Sequence, residues 1–569
     1  MSRHQRRFAL RPRVWALFCL GFLACTRPDS EIAPDVAVRA RRSTATTAAF
    51  FDSDVEALVM VPGGMARLTP TAYDSSGTAL PRRQLHYLGA DTAVAQVDTA
   101  GRVRGIRPGR TIVVLAADGA VDTIPVAVVA DGGLVARVAV FPGRQFQRME
   151  GWEAHHQSGE LDCNPATFSQ YREELFDRAI GELGINRVRL EVRSGMEAPD
   201  LRAPGGNEPQ SRTVPFGTPW FSPVNDNDNP FVADSNGFQF DWFDYNVENS
   251  VIPLRNRLAA RGQHLYLTLT YVDFFASTPF EQMRNPEEYA ELIAVTFEHM
   301  RRRFGFVPDA IEVALEPDNT PWTPEQLARA MVAAGDRLKA QGLRPDFIAP
   351  STTSLAEAVR TYDRMRRVPR VSEYLKVLSY HRYAGVSRPA LRQLTIRARR
   401  DGLRLAMLEH TDGSAEELHD DLTLGRVGAW ERFALAFCGP NANPKASGVY
   451  YQIHIRNGVP PSIVFTDAAR LLRHYFAFVR QGASRIAAAS STPDVSPVAF
   501  RNTNGALVVI LRTSRGGDFS IGGLSGGRYT VMWSLKRGNR SESREVSVTG
   551  NGELLGQIPD AGFVTIYAH

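Results

Sequence analysis

The sequence predicts a multidomain protein in which a central (β/α)8 (TIM) barrel lies between two β-sandwiches. Three observations predict this fold class. The chain has 569 residues, which is more than one ordinary domain holds. From about residue 145, apolar strand-like runs alternate with amphipathic helical runs, a pattern typical of βα units. Before and after this region, short strand-like runs are separated by turn residues.

Residues 1–25 have the pattern of an export signal. They contain five arginines and no acidic residue, and the apolar run 14–24 is too short to span a membrane as a mature helix. The run ends in Phe22-Leu23-Ala24-Cys25, which resembles a bacterial lipobox. We therefore expect an exported protein with Cys25 lipidated at the cell envelope. Ordinary cleavage and secretion is the alternative.

The charge of the chain argues against nucleic acid as a partner. The formal net charge is +5, but without the arginines of residues 1–25 the acidic and basic residues balance. Beyond the signal, we find no segment in the sequence that is long and apolar enough to cross a membrane. We expect a monomer that meets the membrane only through its N-terminal lipid.

A linker and a small β-domain are predicted next. Residues 26–50 are small and polar, which favours a flexible linker. Residues 51–131 consist of short alternating runs between turns, which predicts a β-sandwich. The stretch Gly101–Thr111 (GRVRGIRPGRT) resembles the bacterial Ig-like domain of group 2, with its "G-x-V-x-G-x-x-x-G" run. The resemblance implies a spacer or an adhesion module, and we favour a spacer without a ligand.

The barrel is predicted over residues 145–468, and the second β-sandwich over 469–569 with 132–144 able to join it. The candidate barrel strands are Met149–Ala154, Asn186–Glu191, His264–Thr270, Ala310–Leu315, Asp346–Pro350, Lys376–Tyr380, Leu403–Leu408 and Gly448–Gln452. The candidate helices are Thr167–Leu183, Tyr245–Arg261, Pro286–Phe304, Pro324–Gln341, Ser354–Arg367, Arg388–Arg400 and Gly425–Cys438.

One connection, residues 195–240, is unusually long and is rich in Pro, Gly, Asn and Asp with aromatic residues among them. It follows a barrel strand, so it belongs to the C-terminal face, where barrel active sites are built. We predict that it forms a wall of the substrate cleft. A disordered loop is the alternative.

The cysteines and histidines do not predict a metal or a cofactor. Cys163 and Cys438 fall next to neighbouring barrel strands in an oxidising compartment, so they either pair or remain buried thiols. His155 and His156 are adjacent on a strand and therefore point in opposite directions. His410 has no metal-type spacing to other ligands.

Two glutamates end barrel strands. Glu316 ends the predicted fourth strand, and Glu409 ends the predicted seventh. Each follows an apolar run, so each is delivered from a buried strand to the open mouth of the barrel. Glycosidic cleavage needs one carboxylic acid to protonate the leaving oxygen and one carboxylate to attack or stabilise the anomeric carbon. Ordinary strand-end carboxylates paired with arginines are the alternative.

A family resemblance is carried by three stretches: Gln145–Glu153, Glu316–Asn319 and Phe476–Ile486. They resemble glycoside hydrolase family 30, a family of retaining glycosidases of clan A. Gln145–Glu153 (QFQRMEGWE) resembles its opening "Q-x-I-x-G-F-G" strand. Glu316-Pro317-Asp318-Asn319 resembles its "N-E-P" motif. Phe476–Ile486 (FAFVRQGASRI), followed by Val498-Ala499-Phe500, resembles the entry into its C-terminal β-sandwich. The resemblance covers residues 140–569 and implies a retaining hydrolase of β-linked polysaccharides or oligosaccharides.

The resemblance also implies residue roles. Glu316 would be the general acid/base and Glu409 the nucleophile. Arg189 would lie near the nucleophile and keep it ionised. His381 and Tyr383 would line the sugar subsite. Each has a structural alternative, because arginines bridge interior charges and histidines also occur in cores.

Four further aromatic residues at or near strand ends are candidate sugar contacts: Trp152, Trp322, Tyr271 and Tyr451. Aromatic rings stack on sugar rings, and they equally pack in cores.

Two positions depart from the family pattern. Leu315 stands where an Asn usually hydrogen-bonds the sugar 2-hydroxyl, and Leu408 stands where a small polar residue usually precedes the nucleophile. The contact with the 2-hydroxyl strengthens in the transition state. The departures leave open either a substrate held differently at this position or a barrel that binds glycan at the surface without cleaving it.

Overall fold

The computed structural model describes residues 47–130, 132–133, 136–159, 165–198, 221, 223–274, 280–438, 448–456, 458–550 and 552–568. The predicted signal, Cys25, Cys163 and half of the long connection lie outside the described residues. Within the described part of the chain, none of the helices combines the length and the apolar character needed to cross a membrane.

The N-terminal region is built of strands around its own small core. The strands are β1 (Phe50–Asp52), β2 (Leu58–Met60), β3 (Met65–Arg67), β4 (Thr71–Tyr73), β5 (His86–Gly89), β6 (Ala95–Val97), β7 (Arg102–Gly105), β8 (Gly109–Ala117) and β9 (Ala120–Val128). The sheets have the orders β2-β9-β8-β5, β3-β7-β6 and β1-β4. Side chains of the two larger sheets, among them Leu68, Val103, Leu115 and Val126, share one buried cluster. The likeness to an Ig-like domain stays a prediction.

The predicted barrel is confirmed. Its strands are β11 (Gly151–His155), β12 (Arg187–Arg193), β13 (Tyr266–Val272), β14 (Ala310–Glu312), β15 (Asp346–Ser354), β16 (Leu375–Ala384), β17 (Arg404–Met407) and β18 (Ala429–Ala434). They are parallel in sequence order, and the sheet closes where β18 pairs with β11.

The eighth strand differs from the prediction. Ala429–Ala434 lies inside the segment predicted as the helix Gly425–Cys438, and Gly448–Gln452 is not a barrel strand. The alanines, Leu435 and Glu431 of that segment favour a helix by propensity, but its side chains are buried nearly throughout, so pairing in the closed sheet prevails. Residues 451–456 instead form β20 of a separate small sheet, between β19 (Ala436–Cys438) and β21 (Val459–Phe465).

Helices surround the barrel. They are α1 (Pro165–Arg178), α2 (Asp241–Asn246), α3 (Ile252–Ala259), α4 (Pro286–Phe304), α5 (Pro324–Ala340), α6 (Leu355–Met365), α7 (Val371–Tyr374), α8 (Arg388–Asp401), α9 (Ala415–Thr423) and α10 (Asp467–Phe476). A π-helical turn extends α1 over Ala179–Leu183, and another joins α2 to α3 over Val247–Val251. The side chains of Thr323 and Ser414 cap α5 and α9 through reciprocal capping boxes.

The C-terminal region is one sheet that also takes in the strand preceding the barrel, β10 (Ala136–Arg148). Its other strands are β22 (Ser484–Ser490), β23 (Val495–Arg501), β24 (Leu507–Thr513), β25 (Gly517–Gly522), β26 (Gly527–Leu535), β27 (Ser541–Val548), β28 (Leu554–Ile558) and β29 (Gly562–Ala568). The order is β27-β26-β29-β24-β23-β22-β10-β25-β28. Strand β10 pairs antiparallel with β22 and parallel with β25, so it ties this sheet to the start of the barrel.

The N-terminal strands dock on the end of the barrel where its strands begin. The Glu56 carboxylate pairs with Arg485 of β22 at 2.7 Å and with Arg426, just before β18, at 3.2 Å. The Arg399 guanidinium, near the end of α8, donates to the Phe51 carbonyl at 2.7 Å. This contact surface lies opposite the mouth of the barrel.

The barrel interior is charged, and its outer surface is apolar. In β12 (RVRLEVR), arginine and glutamate alternate with Val and Leu, and all seven residues are buried. Because side chains alternate along a strand, the apolar set faces the helices and the charged set faces the barrel axis. This alternation delivers ionisable groups to the interior and mouth of the barrel.

Candidate active site

Glu316 lies beyond the end of β14 in an unusual backbone conformation. Its φ is +45°, a left-handed value that is uncommon for a residue other than glycine. The surrounding strands hold it: the Leu315 N–H donates to the Tyr271 carbonyl at 2.9 Å, and the Glu316 N–H donates to the Ser351 carbonyl at 3.1 Å. Such strain persists only where neighbouring structure enforces it, and it is frequent at functional sites.

The Glu316 carboxylate is 9% exposed and has two partners. His381 Nδ1 lies 2.9 Å from Oε1, and the Asn319 amide donates to Oε2 at 2.7 Å. Burial lowers the pKa of His381, but the carboxylates of Glu312, 3.7 Å from its Nε2, and of Glu316 outweigh it and raise this pKa to about 10. His381 is therefore cationic at neutral pH and sits directly against the carboxyl predicted to exchange a proton.

Glu409 lies two residues beyond β17, with a different set of partners. The Arg189 guanidinium pairs with its Oε2, and the Tyr383 hydroxyl donates to its Oε1 at 2.8 Å. Burial raises the pKa of Glu409, but Arg189, His381 and the Tyr383 hydrogen bond together outweigh it and hold this pKa below its usual value. Glu409 is therefore held as a carboxylate.

The two carboxyl groups face each other. One oxygen of Glu316, one oxygen of Glu409 and one ring nitrogen of His381 all lie within 4.8 Å of one another. That spacing also suits a metal ion, but Arg189, Tyr383 and Asn319 already supply a positive charge and donors to the two carboxylates. The arrangement suits two carboxyl groups that act together on a single bond placed between them.

A layer of buried charges lies beneath the pair. Arg189 reaches Glu431 at 3.4 Å and Glu312 at 3.6 Å as well as Glu409. Burial raises the pKa of Glu312, but Arg189 and His381 outweigh it and lower this pKa to about 2. Burial, against the effect of Arg189, raises the pKa of Glu431 well above its usual value. The layer thus contains two carboxyl groups around one guanidinium, one with a lowered pKa and one with a raised pKa.

Sequence reasoning did not find Glu312, Glu431 or Asn319. Glu431 was hidden because its segment was predicted as a helix. The usable signal was the alternation of buried charged residues with apolar ones, which β14 (AIE) and β18 (AWERFA) share with β12. Asn319 stood within the quoted motif without an assigned role.

The structure does not bring Trp152 or Tyr451 to the site. The Trp152 side chain is fully buried, donates its indole N–H to the Val479 carbonyl at 2.8 Å, and stacks on Phe476 of α10. Tyr451 is fully buried on β20 and stacks on Phe465. Predicting them as sugar contacts was wrong, because both positions belong to packing between the barrel and its surrounding elements.

Tyr271 and Trp322 lie near the mouth, but their side chains point into the protein interior. The Tyr271 hydroxyl donates to the Gln282 side chain at 2.8 Å, and the Trp322 indole donates to Asp273 at 2.8 Å. Burial raises the pKa of Asp273 to about 6. These residues support the rim, and their rings are 1% and 7% exposed respectively.

An aromatic and charged group forms another part of the rim. The Arg193 guanidinium lies 3.7 Å from the centre of the Trp242 ring and pairs with Glu191 at 2.8 Å. His155 Nε2 lies 3.1 Å from the other Glu191 oxygen. The sequence interpretation assigned no role to this group.

Leu315 packs in an apolar cluster. Its partners are Phe221, Trp242 and Val272, and its side chain is 6% exposed. Residue 315 therefore offers no polar side-chain group that could hydrogen-bond a hydroxyl.

Comparison with solved structures shows which fold this is. A family 30 endoxylanase from Clostridium papyrosolvens C71 has a TM-score of 0.53 at 18% identity, over 76% of this chain and 100% of that one. SrfJ from Salmonella typhimurium has 0.54 at 14%, over 78% and 96%. The endo-beta1,6-glucanase BT3312 has 0.51 at 16%, over 80% and 96%. No protein-family model and no curated protein sequence matches the chain. The chain has the fold of family 30 glycoside hydrolases.

Proposed function

We propose that this protein is a retaining glycoside hydrolase that cleaves β-glycosidic bonds with Glu316 as acid/base and Glu409 as nucleophile. The observation that carries the proposal is the pair itself: two carboxyl groups with oxygens within 4.8 Å, at the ends of β14 and β17. Retaining enzymes keep their carboxyl groups about 5–5.5 Å apart, whereas inverting enzymes need roughly 6.5–9.5 Å to admit a water.

In the first step, the Glu316 carboxylic acid gives its proton to the glycosidic oxygen while a Glu409 oxygen attacks the anomeric carbon. The bond from that carbon to the leaving oxygen breaks, and a glycosyl ester forms on Glu409. Arg189 and the Tyr383 hydroxyl keep Glu409 ionised and aimed before the attack.

In the second step, the Glu316 carboxylate removes a proton from water, and the resulting hydroxide attacks the anomeric carbon. Glu409 leaves as a carboxylate, and Glu316 regains its proton. His381 and Asn319 fix the orientation of Glu316 in both steps.

A glycan-binding protein without hydrolytic activity is the second candidate. Leu315 favours it, because an apolar side chain stands where clan A enzymes usually bind the sugar 2-hydroxyl. In that case the cleft would recognise a polysaccharide at the cell surface and release it unchanged.

Activity on aryl β-glycosides, xylan, β-glucans and galactans separates the two candidates. We expect the wild type to release product with retained configuration, as followed by NMR, and Glu409→Ala to be inactive while still retarded by glycan in affinity electrophoresis. If wild type and Glu409→Ala are equally inert while glycan binding survives, the hydrolase proposal fails.

Azide rescue assigns the roles. In the presence of azide, Glu409→Ala should convert an activated β-glycoside into the α-glycosyl azide, because azide replaces the nucleophile directly. With Glu316→Ala it should give the β-glycosyl azide, because azide attacks the ester on Glu409. The opposite products would reverse the roles.

We also propose that the protein is exported and acts as a monomer at the cell envelope, anchored by lipid on Cys25. The support is the basic and apolar pattern of residues 1–25. Globomycin treatment of cells, or Cys25→Ser, should release or mislocalise a lipoprotein and leave a simply secreted protein unaffected.

A further inference from the structure

A second group of carboxylates lies near the barrel mouth, outside the catalytic pair. Glu197 follows β12, while Glu288 and Glu291 are on the first turns of α4. One oxygen from each lies within 4.8 Å of the others. The three residues are 0%, 7% and 0% exposed. Three carboxylates this close and this deeply buried repel one another unless something of opposite charge holds them.

The segment 223–234 adds two more oxygen-bearing side chains. Asn225 and Asp226 lie close enough to Glu288 to influence its charge, and Asp226 also influences Glu197 and Glu291. One Asp226 oxygen accepts from the Asn227 side chain at 2.8 Å and from the Asp234 N–H. The segment is joined to the cluster at its start, where the Val224 N–H donates to the Glu197 carbonyl at 2.7 Å.

Several oxygens of this group are shielded from solvent and accept no hydrogen bond from any described residue. They are Glu197 Oε1, Glu288 Oε2, Glu291 Oε2, Asn225 Oδ1 and Asp226 Oδ1. Buried acceptors are normally satisfied, because losing water without gaining a donor is unfavourable. Each of the three clustered glutamates thus keeps one buried oxygen without a donor, which points to a ligand that accepts electron pairs from all three.

The protein's own cation does not meet this need. Arg337 pairs with Glu291 Oε1 at 3.2 Å, and its other terminal nitrogen donates to the Pro230 carbonyl. That guanidinium contacts one carboxylate and leaves the second oxygen of Glu291 without a donor. Among the described residues, this one guanidinium faces a cluster of three carboxyl groups, so it does not match the charge of their ionised form.

We propose that Glu197, Glu288 and Glu291, together with the side-chain oxygen of Asn225, bind one calcium ion that ties the segment 223–234 to the end of β12 and the start of α4. All the offered ligands are oxygens, which excludes the nitrogen and sulfur sets that zinc and copper prefer. Calcium takes six to eight oxygens in irregular geometry, whereas magnesium demands a regular octahedron and keeps several waters.

The ion would also stabilise the rim of the candidate active site. The Gln282 amide donates to Glu197 Oε2, and the Gln282 carbonyl oxygen accepts from the Tyr271 hydroxyl at 2.8 Å. The Tyr271 carbonyl in turn accepts a hydrogen bond from the N–H of Leu315, the residue before Glu316. Glu197 and Gln282 are thus positioning residues, because they connect the cluster to the backbone next to Glu316.

Calorimetry on the full-length protein, treated with EDTA and dialysed, tests the site directly with CaCl2 as titrant. We expect one site with a dissociation constant of about 10⁻⁷–10⁻³ M, the range from sensor sites to extracellular modules. Saturating calcium should raise Tm by about 2–5 °C. Crystals soaked with CaCl2 should show an anomalous peak among the three glutamates.

Glu288→Gln should weaken calcium binding at least about tenfold and abolish the Tm shift. Glu287→Gln, an exposed neighbour on the same turn of α4, is the matched control and should bind calcium as the wild type does. If Glu288→Gln does not fold, Asn225→Ala should show the same loss from the loop side.

Three results would overturn the proposal: no calcium binding by the wild type at about 5 mM, wild-type affinity in Glu288→Gln or Asn225→Ala, or binding of MgCl2 in preference to CaCl2. These measurements do not depend on hydrolytic activity, so they stand apart from the test of the proposed function.

Discussion

Arg189 and Glu409 are 220 residues apart in the sequence and are joined in the barrel mouth by an ion pair that is also a hydrogen bond. The same guanidinium faces Glu312 and Glu431, so one side chain serves three carboxyl groups. Its removal should therefore affect both the chemistry and the stability of the barrel.

Arg189→Met should raise the pKa of Glu409, because the largest favourable charge on that carboxylate is lost. The acidic limb of the pH profile of kcat/KM should move to higher pH, and kcat/KM at its optimum should fall at least about 100-fold. Unfolding should become easier by about 3–5 kcal/mol, since carboxyl groups are left buried without their partner. An unchanged acidic limb would contradict the role given to Arg189.

Tyr383→Phe should lower kcat/KM by about 10–100-fold, because the phenol donates a charge-assisted hydrogen bond to Glu409 Oε1. The side chain is 41% exposed, so the free energy of unfolding should change by less than about 1 kcal/mol. Steady-state kinetics together with urea denaturation check both parts. A loss of stability without a loss of activity would mean that Tyr383 is structural.

His381→Asn should change the pH dependence of stability. The pKa of His381 is about 10 in the folded protein and about 6.5 when unfolded, so the cation stabilises the fold. This contribution is fully present below about pH 6.5 and is lost as pH rises toward 10. The wild type should therefore lose its advantage over His381→Asn between these values, as measured by urea unfolding at a series of pH values. A constant difference across that range would refute the assignment.

The apolar cluster around Leu315 predicts weak discrimination at the sugar 2-position. Aryl 2-deoxy-β-glycosides should be cleaved with kcat/KM within about tenfold of their 2-hydroxy counterparts, because this position lacks the contact worth several kcal/mol in related enzymes. Leu315→Asn should lower the free energy of unfolding by about 1–3 kcal/mol, because the amide is buried among Phe221, Trp242 and Val272. A much larger preference for the 2-hydroxy substrate would show that another residue makes the contact.

Glu56→Ala should destabilise the protein by about 3–5 kcal/mol, because Arg485 is 2% exposed and loses the carboxylate that pairs with both of its terminal nitrogens. Arg485→Met in the same background should recover part of that loss. Asp54→Ala, which removes a more exposed carboxylate of the same segment, is the control. Equal effects of Glu56→Ala and Asp54→Ala would argue against a buried ion pair at this junction.

Much of the barrel could be predicted from the sequence, because apolar runs and amphipathic runs alternate regularly. The helix predicted at Pro286–Phe304 has those bounds in the structure. The prediction failed at β18, where Ala and Glu favour a helix locally and only closure of the sheet selects a strand. Periodicity describes one segment at a time, whereas the eighth strand is defined by its two neighbours.

The candidate site could likewise be predicted only in part. Glu316 and Glu409 could be located because they end strands, and the structure brings them together with Arg189, His381 and Tyr383. The role of Trp152 could not be assigned from the sequence. Whether a ring on a short strand reaches the mouth depends on the register of that strand, and the Trp152 ring lies in the core. The cluster of Glu197 with Glu288 and Glu291 joins a loop to a helix some 90 residues later, a contact that no local pattern encodes.

The docking of the N-terminal strands leaves the open face of the barrel uncovered. Glu56, Phe51 and their partners hold these strands against the end of the barrel where its strands begin, and the two glutamates lie at the other end. Under the function we propose, a long polysaccharide could therefore reach the two glutamates without meeting the N-terminal strands.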